Sequence, residues 1–127
     1  MASQRGVLDG LAILVIEANQ DARESMRILL KYRGALPFAA ATAREGLSAL
    51  HGVRPDVVIT DIRLDTQDAT SLMRELRQRG HAAPFIAISV EDFAESHLRA
   101  SGFFAFLRKP VDPQRLVDLL IVATKRR

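Results

Sequence analysis

Apolar blocks alternate with helical patterns along the whole chain. Leu11–Ile16, Leu36–Ala41, Val57–Asp61, Phe85–Ser89 and Phe104–Leu107 read as strands. The blocks beginning at Leu11, Val57 and Phe85 are nearly continuous apolar runs, the pattern of strands buried on both faces. They are predicted to be central, in a parallel sheet covered by helices on both sides.

The segments between them carry helix start and stop signals. Asn19 caps a helix running to about Tyr32, with Met26, Leu29 and Leu30 on its inner face. Thr42 and Glu45 form a capping box. Asp68 reads as another cap, and Asp112-Pro113 sets a cap before a proline in the first turn of the last helix. Gly34, Gly52, Gly80 and Gly102 each follow a helical pattern, where a left-handed residue closes the helix. Five β/α units result, with no phosphate-cradling glycine motif among them.

At 127 residues and 48% hydrophobic content, the chain has the size and apolar material for one domain. That domain is assigned to residues 11–124, after a leader at 1–10 expected to be frayed and before a basic tail at 125–127. The absence of cysteine excludes disulfides, thiolate metal sites and cysteine nucleophiles, and suits a reducing cytoplasm. Leu11–Ile16 is far shorter than the roughly 20 residues of a membrane helix, so no membrane association is expected. The net charge of +3 comes from scattered residues, apart from Lys125-Arg126-Arg127. With one Tyr and no Trp, nucleic-acid binding is a poor option.

In open α/β sheets, ligands bind beyond the carboxyl ends of the strands. The residues there are Glu17 and Ala18 after the first strand, Asp61 at the third, Ser89 at the fourth and Lys109-Pro110 after the fifth. A carboxylate ending an apolar run is costly to desolvate unless something binds it, so Asp61 is either a structural cap or a site. An ammonium at Lys109 could pair with it and with an anion placed on it. Ser89 supplies a hydroxyl beside them.

The sequence resembles the receiver domain of bacterial response regulators over nearly its whole length. The resemblance rests on Ile13 to Glu24, Pro55 to Leu64, Pro84 to Val90 and Phe106-Leu107-Arg108-Lys109-Pro110, taken in order. It implies a flavodoxin-like, CheY-like fold, a doubly wound five-stranded parallel sheet in order 2-1-3-4-5 with five helices. It further implies that Asp61 is a phosphoacceptor rather than part of a turnover enzyme, with any phosphotransfer or dephosphorylation self-catalysed. Lys109 and Ser89 then contact the phosphoryl group, Ser89 and Phe106 form a switch, and Pro110 follows a cis bond. The implied partners are a sensor histidine kinase or phosphotransfer protein, and a downstream protein.

The resemblance also implies Mg²⁺, which offsets repulsion between an anionic acceptor and an anionic donor. Its ligands map to Glu17, Asp61 and the backbone carbonyl of Arg63. Ala18 stands where the family has a second acid, and a methyl group cannot ligate a metal, so metal binding is expected to be weakened or lost. Asp65 is a weak candidate to compensate, Asp21 lies within the first helix, and Arg63 and Glu91 flank the mouth, where they either pair or stay solvated.

The alternative reading is a pseudo-receiver, a docking module that works without phosphorylation. An aspartyl-phosphate phosphatase needs a second Asp two residues after Asp61, where Arg63 stands instead. His51, His81 and His97 lack metal-ligand spacing. Leu116, Leu119, Leu120 and Ile121 exceed one inner stripe of the last helix, which leaves room for a homodimer.

Overall fold

A computed structural model of the chain describes residues 6–62, 67–91 and 95–125, with the backbone alone at Gln67, Asp68 and Glu95. The strands are β1 (Ala12–Ile16), β2 (Leu36–Ala40), β3 (Val57–Asp61), β4 (Phe85–Ser89) and β5 (Ala105–Arg108). The helices are α1 (Gln20–Tyr32), α2 (Ala43–Leu50), α3 (Gln67–Gln78), α4 (Glu95–Ala100) and α5 (Pro113–Ala123). All strand pairings are parallel, in the order β2-β1-β3-β4-β5. The expected fold is therefore the observed one, with strand boundaries shifted by one residue at β1, β2 and β5.

Alternation along the strands divides the core into two layers. Ile13, Val15, Val57, Ile59, Ile86 and Ile88 point toward α1 and α5, where they meet Met26, Leu30, Leu116, Val117 and Leu120. Leu14, Ile16, Val58, Phe85 and Ala87 point the other way, onto Leu50, Leu72, Met73, Leu76 and Leu98. The central strands β1, β3 and β4 are thus buried on both faces, which is why their sequences show no polar alternation. β2 lies at an edge and contains Pro37, a residue without the N–H that an interior strand would need.

The caps form as their chemistry dictates. Ala22 N–H donates to Asn19 Oδ1 at 2.8 Å, Glu45 N–H to Thr42 Oγ1 at 3.1 Å, and Gln114 N–H to Asp112 Oδ1 at 3.1 Å. Asp68 is different: α3 already includes Gln67, so Asp68 lies in the first turn and is not the cap. Gly34, Gly52, Gly80 and Gly102 all have positive φ, and so does His51, at 50°, as the C-cap of α2.

The leader differs from its expected frayed state over residues 6–10. Leu8 is fully buried, its N–H donates to the Arg33 carbonyl at 2.9 Å, and Gly10 N–H donates to the Gly34 carbonyl at 3.0 Å. One apolar side chain and two backbone bonds tie it down, against a prediction made from its lack of an apolar run. On α5, Leu116 and Leu120 are buried and Leu119 is partly buried, which leaves Ile121 exposed among the four residues that suggested an excess. Among the described residues no helix is long and apolar enough to cross a membrane.

Candidate functional site

β1, β3, β4 and β5 end at the same edge of the sheet, which brings Glu17, Asp61, Ser89 and Lys109 together. Parallel register does this work. Ile16 pairs with Thr60, Asp61 with Ile88, and Ser89 with Arg108, so residues far apart in sequence leave the sheet side by side. The edge opens into a cavity of about 720 Å³ lined by Glu17, Ala18, Asn19, Thr42, Asp61, Glu91 and Lys109, with apolar walls that include Ile16, Ala41 and Val90.

Glu17 is fully buried, and its two carboxylate oxygens differ: Oε2 is hydrogen-bonded, whereas Oε1 has an ion-pair neighbour but no hydrogen bond. Oε1 lies 2.6 Å from Lys109 Nζ, and Oε2 accepts the Asn19 N–H at 2.9 Å. Lys109 Nζ also lies 3.4 Å from Asp61 Oδ1, and the Asp61 side chain is 8% exposed. The ammonium therefore lies between two carboxylates and closer to Glu17, whereas the expected partners were Asp61 and an anion placed on it. A buried carboxylate with no solvent to share takes the shorter ion-pair contact.

Ser89 is fully buried, and its Oγ accepts the Glu91 N–H at 3.0 Å, leaving its own proton to donate. Phe106 is half-buried against the α2–α4 side of the core. The Lys109-Pro110 bond is cis, as expected. Glu91 is half-buried at the mouth, and Asp21 is exposed on α1. Arg63 and Asp65 lie outside the described residues, and with them the proposed Arg63–Glu91 pair.

Two contributions to the site were not read from the sequence. Arg23 Nη1 donates to the Glu17 carbonyl at 2.8 Å and lies 3.4 Å from the Ala18 carbonyl, holding the loop after β1 from the side of α1. The backbone N–H of Asn19 orients Glu17 while its side chain caps α1. Arg23 lies six residues after Glu17, in the first turn of α1, and no local spacing marks its reach back to the loop.

Among the described residues the acids at this edge are two, Glu17 and Asp61, with Glu91 at the mouth. Ala18 offers a methyl group where a ligating acid would be needed, and no group of three acidic, His or Cys side chains among the described residues could hold a metal; Glu17 Oε1, buried without a hydrogen bond, is the side-chain oxygen best placed to contribute to one.

Comparison with known proteins gives one family. The model of the response regulator receiver domain matches residues 13–121. An uncharacterized 14.6 kDa protein of Leptolyngbya boryana is 34% identical over 113 residues, covering 85% of this chain and 86% of that protein. A response regulator receiver protein of Anaeromyxobacter is 32% identical and covers 84% of this chain; the KDP operon transcriptional regulatory protein of Escherichia coli is 31% identical and covers 90%. This chain spans only 45% and 51% of those two relatives. Among solved structures, the receiver domain of a Pseudomonas aeruginosa sensor histidine kinase, with magnesium coordinated in its cleft, superposes with a TM-score of 0.74 at 22% identity, covering 92% of this chain and 99% of that one. At that identity the likeness is one of fold.

Proposed function

The chain belongs to the response regulator receiver domain family of two-component systems, and from that premise we propose that Asp61 accepts a phosphoryl group and that the domain signals through protein contacts. The observation that carries this reading is the Asp61 carboxylate at the floor of an open cavity, 3.4 Å from the Lys109 ammonium. In the proposed step an Asp61 oxygen attacks the phosphorus of a phosphohistidine on a partner kinase or phosphotransfer protein. The P–N bond breaks, the electron pair returns to the imidazole, and an acyl phosphate forms. Lys109 neutralises the new phosphoryl oxygens, and Ser89 turns its hydroxyl toward them while Phe106 follows. The protein is then an acceptor in the cytoplasm rather than a turnover enzyme.

A second reading is favoured by one specific feature. Lys109 sits 2.6 Å from Glu17 and 3.4 Å from Asp61, and Ala18 supplies no metal ligand. In this reading the ammonium is held by Glu17, and the domain docks its partner without phosphorylation.

The two readings separate on incubation with acetyl phosphate, with and without Mg²⁺, followed by intact-mass measurement of the wild type, Asp61→Asn and Ala18→Asp. A one-phosphoryl mass gain in the wild type that is lost in Asp61→Asn supports the acceptor. A gain only in Ala18→Asp supports the docking module. No gain in any variant removes the acceptor reading and the account of Ala18 with it.

A further inference from the structure

The opposite end of the sheet carries charge of another kind. Arg54 precedes β3, Arg74 and Arg77 lie in the last turns of α3, and Arg79 follows it; all four are exposed. Three of them converge on the turn that leads to β4. Arg54 Nη1 donates to the Gly80 carbonyl at 3.3 Å, and Arg77 Nη1 donates to the His81 carbonyl at 3.1 Å, its guanidinium 5.7 Å from the centre of the Phe85 ring. Arg79 pairs with Glu75 at 2.6 Å. Each guanidinium has five N–H donors, so these bonds leave most of them facing solvent. Arg74, three residues before Arg77 on the helix surface, adds its charge to the same side.

Glu75 is the acid within this group. The nearby Asp56 carboxylate accepts the Ala12 N–H at 2.8 Å. Counted over the whole sequence there are 18 basic and 15 acidic residues. These four arginines, with Glu75 and Asp56, carry four positive and two negative charges, a net +2 out of the protein's +3. His81 registers the crowding: its Nδ1 is buried without a hydrogen-bond partner, and burial, then Arg54 and Arg79, lower its pKa.

We propose that this arginine patch at the amino end of β3 and β4 docks an acidic segment of a partner protein. Guanidinium forks match carboxylates two bonds at a time, and the like charges gathered here are relieved when such a segment binds. Nucleic acid is the poorer fit, because the aromatic ring in the patch, Phe85, is fully buried and offers no face for stacking. The five residues of β3 separate the patch from Asp61 by roughly 15 Å, well beyond the ~8 Å screening length at physiological salt. Docking is therefore independent of the state of Asp61.

The test is a titration of the full chain with a decaglutamate peptide, followed by amide NMR shifts, at about 150 mM salt, where the ~8 Å screening length keeps the patch and Asp61 electrostatically apart. Expected are shifts confined to Arg54 with its neighbours and to residues 74–82, about tenfold weaker binding in the pair Arg54→Ala with Arg74→Glu, and unchanged binding in Arg115→Ala on α5 and in Asp61→Asn. Arg74→Glu alone, at an exposed position on the surface of α3, keeps the test usable if Arg54→Ala perturbs folding. The proposal is overturned if the wild type does not bind, if Arg74→Glu binds as tightly as the wild type, or if a duplex DNA of equal charge binds more tightly than the peptide.

Discussion

At the carboxyl end of the sheet one ammonium lies between a buried and a nearly buried carboxylate, while at the amino end four exposed guanidiniums gather near Glu75 and Asp56. The first arrangement is an energetic commitment. Glu17 is fully buried, so its charge depends on Lys109 and the Asn19 N–H rather than on solvent. The second costs little to assemble or dismantle, because water screens each charge. What separates the two ends is burial more than the kind of charge, and it determines which end specifies the structure and which remains available to a partner.

The largest expected effect tests the commitment. Lys109→Met leaves Glu17 charged and buried without its cation, and is expected to destabilise the fold by about 3–5 kcal/mol in urea unfolding. Adding Glu17→Gln should recover most of that loss; a double variant as unstable as the single one would show that packing, not charge, sets the cost. At the amino end the strain lies in the backbone. His51 holds φ at 50°, and His51→Gly should stabilise the protein by about 1 kcal/mol.

Glu75→Gln breaks the exposed pair with Arg79, and its effect should stay within about 1 kcal/mol. A larger loss would erase the contrast between the two ends. The smallest effect is a pH dependence. Since the folded state lowers the His81 pKa, the unfolded chain binds the proton more readily. The contribution is complete above the unfolded value near 6.5 and is lost as pH falls through the lower folded value. His81→Gln should remove that part of the slope in thermal unfolding between pH 5 and 7.

The sequence showed the architecture clearly because its local signals agreed. Apolar runs named the central strands, the caps at Asn19, Thr42 and Asp112 opened their helices, and positive-φ glycines closed them. Contacts set by through-space geometry were less legible. That Lys109 lies nearer Glu17 than Asp61 depends on the stagger of β1, β3 and β5. Burial of Leu8 depends on a main-chain bond to Arg33, just past α1, and on the core it joins there. Asp68 was read as a cap because Asp commonly caps, yet α3 begins before it. Arg54 is 26 residues from Gly80, and no local pattern links them.

The parallel ladder between β4 and β5 continues one step past its last paired residues, through Lys109 N–H to the Ser89 carbonyl at 2.8 Å. The main chains that carry the hydroxyl and the ammonium are thereby yoked, so neither side chain's anchor travels without tugging the other. Exchange of that single amide proton with solvent then reads out the integrity of the whole floor of the cavity, with no label and no bound ligand required.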